Sequence, residues 1–167
     1  MARMFSENMW RRHANQWSVY TRFLALPLAI LAGWSRIWIG WWAALPLVLI
    51  IIWLAINPFV FKPIERPSNW IEKGILGERL WLQREDMEAR HRDMLRVLVF
   101  TGAFGLVTMI AGIAWLELTS AILGMTLVAI AQFWRIARYA RIYDHTEAQE
   151  FRAASPTQAQ QDDIPAQ

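Results

Sequence analysis

The chain contains no cysteine among its 167 residues. This absence excludes disulfides, thiolate metal sites, iron–sulfur clusters, covalently attached haem and cysteine nucleophiles. Lysine is also scarce, because fifteen of the seventeen basic residues are arginine. Nearly all of these arginines lie beside apolar segments, which indicates contact with lipid headgroups rather than with nucleic acid.

Formal charge is absent from long stretches of the chain. Residues 37–56 form an uncharged run of twenty residues. At about 1.5 Å per residue, a helix of this length crosses a hydrocarbon core of roughly 30 Å. We therefore predict an all-α integral membrane protein whose four transmembrane helices form two tight hairpins. The predicted spans lie at about residues 20–35, 38–57, 97–116 and 118–135.

The predicted spans lack a central Asp, Glu, Lys or Arg. Proton relays and ion pathways usually include such a residue, so the sequence does not favour a transporter or a pump. Residues 1–22 are polar and lack an early apolar core, which is unlike a cleavable signal peptide. We expect the first apolar helix to act as an uncleaved insertion signal.

The remaining segments are predicted to lie on one side of the membrane. Residues 6–19 combine tryptophans with arginines, which is typical of a helix in the membrane interface. Residues 62–96 form an amphipathic segment. These parts belong to a membrane domain over residues 1–152. From residue 153 to residue 167 the composition is that of a disordered tail.

Within the amphipathic segment, residues 69–82 are predicted to lie on the membrane surface or to re-enter it. Asn69 can cap a short helix there, with Glu72 three residues later in a capping-box arrangement. Gly74 and Gly77 are expected to break the element. Its apolar side chains would hold it against the membrane.

Orientation follows from the distribution of basic residues. An even number of spans places the N-terminus, the 62–96 segment and the C-terminus on the same side. That side carries sixteen of the seventeen basic residues, and Arg36 alone lies on the other. The positive-inside rule therefore predicts that both termini are cytoplasmic.

Four motifs resemble those of an uncharacterised bacterial family of small multi-pass membrane proteins, a domain of unknown function. They are WRRHANQWSVYTR at residues 10–22, WSRIWIGWW at 34–42, Asn57 with Pro58, and GERLWL at 77–82. The resemblance is strongest over about residues 8–85. It implies a bacterial inner-membrane protein, and it supplies no catalytic residue.

Candidate binding residues for lipid or another anion come from two of these motifs. The first motif could hold a phosphate through its arginines, or its polar side chains could simply cap helices and anchor the segment. The GERLWL motif at residues 77–82 could supply an acid and a base, or only local ion pairs. The candidates are Arg11, Arg12, His13, Asn15, Arg22, Glu78 and Arg79.

A metal site is not predicted from the three histidines, His13, His91 and His145. No two of them share a helix at a spacing of three or four residues, which is the usual way for one helix to present two ligands. No cofactor can be assigned from the sequence.

The leading functional hypothesis is a non-catalytic membrane protein. It would bind anionic phospholipid headgroups, or pack against another membrane protein or a second copy of itself, and would not bind nucleic acid. The alternative is a small membrane enzyme acting on a lipid or a quinone at the cytoplasmic leaflet. That alternative requires His13, Asn15, Arg22, Glu78 and Arg79 to converge on one pocket.

Overall fold

The computed structural model describes residues 7–83 and 89–154, and both parts are helical without a strand. The sequence predictions for residues 84–88 and for residues 155–167 of the tail lie outside this range. The helices, in chain order, are α1 (Glu7–His13), α2 (Gln16–Trp34), α3 (Arg36–Ile39), a 3-10 turn (Gly40–Ala43), α4 (Ala44–Val60), α5 (Trp70–Gln83), α6 (Ala89–Trp115) and α7 (Leu118–Ala154).

Among the described residues, three helical segments are long enough and apolar enough to cross a membrane. They are Gln16–Val60, Arg92–Trp115 and Leu118–Glu147. The first segment contains both α2 and α4, which are separated by α3 and the 3-10 turn. Gly40 has a φ of +59° at this break, a conformation that glycine adopts without steric cost. For this reason α4 begins later than the start predicted at residue 38.

In the polar segment predicted as one helix at 6–19, the described residues 7–19 belong to two helices. α1 ends at His13, and α2 begins at Gln16. The side chain of Asn15 accepts a hydrogen bond from the Trp17 backbone N–H at 3.0 Å, so Asn15 is the N-cap of α2. A side chain that caps a new helix turns the chain, which lets α1 fold back onto the ends of α4 and α5.

Helices α6 and α7 are in close contact, and small residues line this contact. A Cβ atom on Gly105 would lie 2.9 Å from the carbonyl oxygen of Gly124. Gly112 similarly meets the backbone of Ala121. The small residues of α6 therefore let α7 pack closely against it. At the turn between the helices, Glu117 Oε2 accepts from the Ser120 N–H at 2.8 Å and caps α7.

Helix α5 is continuous, and the predicted break at Gly74 and Gly77 was wrong. Both glycines face α7, where a Cβ atom would meet the backbone carbonyls of Ile136 and Tyr139. These positions therefore need glycine for a close contact between helices and not for a turn. The predicted cap is confirmed, because Asn69 Oδ1 accepts from the Glu72 N–H at 3.0 Å.

α4 lies at the edge of the bundle. Among the described residues it packs on α1, α2 and the 3-10 turn, and not on α5, α6 or α7. Most of its large apolar side chains are consequently exposed. Its antiparallel pairing with α2 is clear from the hydrogen bond between Ser18, near the start of α2, and Asn57, near the end of α4.

Candidate functional site

A buried polar network joins the first turns of α2 to the last turns of α4. Ser18 and Asn57 are both 0% exposed. Ser18 Oγ donates to Asn57 Oδ1 at 2.5 Å, and Asn57 Nδ2 donates to Thr21 Oγ1 at 2.7 Å. Thr21 in turn donates to the backbone carbonyl of Trp17 at 2.8 Å. Every polar group in this chain of contacts therefore has a partner, as burial requires.

Arg22 connects this network to the end of α1. Its Nη2 donates to Ser18 Oγ and to the backbone carbonyl of His13, each at 2.9 Å. Its Nη1 lies 2.8 Å from His13 Nε2. The guanidinium is therefore held by two helices, and it orients the imidazole of His13. We call Ser18, Asn57, Thr21, Arg22 and His13 the buried polar network.

His13 is neutral in this setting. Burial first, and then the neighbouring Arg22 cation, lower the pKa of the His13 imidazole from its usual 6.5 to about 4. A neutral imidazole has one acceptor nitrogen and one N–H donor. Arginine can only donate, so the ring nitrogen bonded to it is the acceptor; Arg22 Nη1 lies 2.8 Å from Nε2 and 3.4 Å from Nδ1.

Glu78 lies on the α5 side of Arg22. Burial raises the pKa of the Glu78 carboxyl above its ordinary value, and the Arg135 and Arg22 cations oppose that rise. Tyr139, which is buried, is electrostatically coupled to the same carboxyl. Electrostatic interactions thus link two arginines, one carboxyl and one phenol, which are carried by α2, α5 and α7.

A second feature is an open groove of about 580 Å³ between α1, the 61–69 loop, α5 and α7. We call it the basic groove. It is lined by Arg11, Ile64, Glu65, Arg66, Pro67, Lys73, Leu76, Arg79, Leu80, Tyr143 and Glu147. Arg11 Nη1 donates to the Glu65 carbonyl at 3.2 Å, which joins α1 to the loop. Lys73 forms a 2.7 Å ion pair with Asp144.

The predicted site residues are divided between these two features. His13 and Arg22 belong to the buried polar network, and Glu78 lies next to it. Arg11 and Arg79 line the basic groove.

The two remaining candidates, Arg12 and Asn15, donate hydrogen bonds to backbone carbonyls near the end of α4. Arg12 donates to the Phe59 carbonyl at 3.1 Å, and Asn15 Nδ2 donates to the Lys62 carbonyl at 3.2 Å. Of the five residues that the enzyme hypothesis requires, Arg79 lines the basic groove, whereas His13 and Arg22 belong to the buried polar network.

Sequence reasoning missed Asn57 as a network residue, and Arg66 and Lys73 as groove residues. The sequence offered an indication for Asn57, because an amide at the end of a long apolar run needs a buried hydrogen-bond partner. It offered no such indication for Arg66 and Lys73, because only the fold places them beside Arg11. Within residues 7–83 and 89–154, no three His, Asp or Glu side chains are placed to hold a metal ion.

The sequence matches DUF6653, described as a family of unknown function, over residues 1–161. No curated protein and no solved structure matches the chain. The match covers both the polar network and the basic groove, and it confirms the predicted resemblance to a domain of unknown function. The chain belongs to this family of unknown function.

Proposed function

We propose that this protein spans the bacterial inner membrane four times and binds the headgroup of an anionic phospholipid, without catalysing a reaction. Both termini and the basic groove would face the cytoplasm. The observation that carries the proposal is the basic groove itself, where three separate elements bring four basic side chains together.

The charges of the basic groove suit a phosphodiester. Arg11, Arg66 and Arg79 are opposed by two carboxylates in the lining, and Lys73 is already paired with Asp144. The balance is one positive charge, which is the complement of one phosphodiester. Guanidinium groups also bind phosphate oxygens in a bidentate manner that lysine cannot reproduce. The apolar residues of the groove, such as Leu76 and Leu80, would contact the glycerol and the first acyl carbons.

The four-span topology is supported by helix lengths. α2 has 19 residues and α4 has 17. At 1.5 Å per residue they extend about 28 Å and about 25 Å, close to the thickness of the hydrocarbon core. The connection between them exposes Trp38, Trp41 and Trp42, as expected of an interfacial aromatic belt. Arg36 is in the same connection and donates to the Ala114 carbonyl at the end of α6.

Native mass spectrometry of the delipidated protein tests headgroup binding. Phosphatidylglycerol and phosphatidylcholine are added separately, and retained lipid is counted for each chain. We expect preferential retention of phosphatidylglycerol. Arg79→Gln should weaken that retention about fivefold, because one basic residue near an anionic headgroup contributes about 1 kcal/mol. Raising the salt concentration should weaken it further.

Arg96→Gln is the matched control. Arg96 is exposed, lies outside the basic groove and forms a pair with Asp93 at 3.3 Å within its own helix. Both variants remove one positive charge. A difference between them in retained phosphatidylglycerol would therefore reflect a specific binding site and not the net charge. Equal loss in both variants, or equal retention of the two lipids, would contradict the proposal. Inorganic phosphate added as a competitor distinguishes a phosphate site from a lipid site.

The absence of cysteine allows a direct test of topology. Single cysteines replace Trp41, Thr119, Lys62 or His145, all of which are exposed. We expect a membrane-impermeant maleimide to label the first two positions in intact cells, and the last two only after permeabilisation. Labelling of Trp41→Cys on the same side as Lys62→Cys would show that α2 and α4 dip into the membrane and return.

Packing in a membrane complex is a second candidate role. The exposed surface of α4 favours it, because this helix has neighbours on one side only. The same native mass spectra would report a second copy or a stoichiometric partner. A partner without retained phosphatidylglycerol would favour this role over headgroup binding.

A further inference from the structure

Another groove lies between α4 and α6, at the end of α2 that is far from the buried polar network. We call it the Arg36 groove, and its volume is about 430 Å³. Gly33 and Ile113 line it where α2 meets α6, and a Cβ atom on Gly33 would overlap the Ile113 side chain. Among the described residues α4 does not pack on α6. The groove therefore separates these two helices.

The walls of the Arg36 groove suit an acyl chain. Arg36 is the only charged residue of the lining, and Ala43, Ala44 and Leu47 form the wall on the α4 side. A Cβ atom on Gly40 would meet no other atom within 4 Å, so the space beside the 3-10 turn is open. In a bilayer an acyl chain fills such a space, because an empty one would deprive its walls of dispersion contacts.

The guanidinium of Arg36 lies at the α6 side of the groove. Its Nη2 donates to the Ala114 carbonyl, next to the lining residue Ile113. In the described part of the chain this is the one hydrogen bond that the Arg36 side chain makes, whereas an arginine has five N–H donors. A structural role in capping α6 therefore uses one donor and leaves the others for a ligand.

The positive charge of Arg36 is not neutralised by a neighbouring carboxylate. Glu117 is the only acidic residue in the connections at this end, residues 35–43 and 116–117. Its carboxylate caps α7 through Ser120, and in the described structure it forms no ion pair with Arg36. A guanidinium binds phosphate oxygens well, and phosphate is the anion that a membrane interface supplies.

We infer that the Arg36 groove binds one phospholipid of the leaflet opposite the basic groove. The phosphate contacts the Arg36 guanidinium, and one acyl chain lies between α4 and α6. Recognition depends on the phosphate and the chain, and not on the rest of the headgroup. The inference rests on the membrane-spanning part of the proposed function and is independent of headgroup binding in the basic groove.

Native mass spectrometry of the delipidated full chain with phosphatidylcholine tests the inference, because the basic groove is not expected to select this zwitterionic lipid. We expect one retained phosphatidylcholine per chain, and two phosphatidylglycerols, since the latter also fits the basic groove. Arg36→Gln should weaken phosphatidylcholine retention about fivefold, the effect of one basic residue near a lipid phosphate. Glutamine keeps an N–H donor for the Ala114 carbonyl, so the end of α6 remains capped.

Two arginine variants serve as controls. Arg96→Gln removes an exposed arginine at the other end of α6 and should leave phosphatidylcholine retention unchanged. Arg79→Gln, the variant that tests the basic groove, should also leave it unchanged. Arg36-dependent retention of phosphatidylcholine would support this inference even if phosphatidylglycerol were not preferred, so the two proposals can fail separately.

The position of the acyl chain is tested by filling the groove. Ala44 lines the groove and is exposed, so Ala44→Phe should occupy the space and weaken retention without removing a charge. Ala55→Phe is the matched control, at an exposed position of α4 outside the Arg36 groove. Ala44→Phe also covers the case in which Arg36→Gln does not fold.

A ligand control separates the phosphate from simple hydrophobicity. Diacylglycerol has the same chains but no phosphate, and it should be retained more weakly than phosphatidylcholine. Equal retention of these two lipids would overturn the inference. Equal retention of phosphatidylcholine by Arg36→Gln and Arg96→Gln, or by Ala44→Phe and Ala55→Phe, would also overturn it.

Discussion

Replacing Gly77 with alanine is expected to separate α5 from α7. The new Cβ atom would fall on the backbone carbonyl of Tyr139, well inside van der Waals contact. A backbone atom of a packed helix cannot rotate away as a side chain can, so one of the helices must move. Overpacking of this kind costs about 1–3 kcal/mol, and we expect the upper part of that range. The unfolding midpoint in detergent, followed by circular dichroism, measures the loss.

Gly102→Ala is the matched control for this substitution. A Cβ atom there would meet only the Cβ atom of Ala131, at an ordinary contact distance of 3.5 Å. Alanine is the better helix former by about 1 kcal/mol, so this variant should be neutral or slightly stabilised. If both variants unfold at the same midpoint, α5 does not rest on α7 through Gly77. Loss of this contact should also weaken phosphatidylglycerol binding, since α5 supplies Lys73 and Arg79 to the basic groove.

Asn57→Leu should produce the second large effect. The substitution keeps a side chain of similar size but leaves the fully buried Ser18 hydroxyl without its acceptor. Thr21 also loses the donor that Asn57 supplied. An unsatisfied buried polar group costs about 1–3 kcal/mol, and we expect unfolding to become easier by that amount. Equilibrium unfolding in mixed detergent micelles provides the measurement.

The network can be tested by a double-mutant cycle. Ser18→Ala removes the hydroxyl whose partner is lost in Asn57→Leu, so the double variant should cost less than the sum of the single variants. Thr126→Val is the control, because Thr126 is exposed and donates only to the Ile122 carbonyl of its own helix. Additive costs of Ser18→Ala and Asn57→Leu would show that the two side chains do not stabilise each other.

Much of the helical content was predictable from local patterns. Apolar runs without charge identified the segments now seen as α2, α4, α6 and the first half of α7. The Asn69 cap was also predictable, because a capping side chain and the amides that it binds are adjacent in sequence. Close packing of α6 and α7 followed from their small residues, which have few other roles in an apolar helix.

The errors concern residues whose roles depend on distant partners. Gly74 and Gly77 resemble helix breakers in isolation, yet they lie in an unbroken helix because the backbone of α7 leaves no room for a side chain. Residues 6–19 are mostly polar and aromatic. The break there reflects the capping of α2 by Asn15, whose side chain also reaches the Lys62 carbonyl.

The sequence by itself determined the apolar helices, their approximate limits and the uneven distribution of arginine, because these properties depend on neighbours a few residues apart. Only the tertiary structure decided which candidates meet. It joined His13 to Arg22 and placed Arg11 beside Arg66 and Arg79. Such contacts depend on the packing of α5 against α7 and of α1 against α4, since side chains far apart in sequence become neighbours only when whole helices pack together.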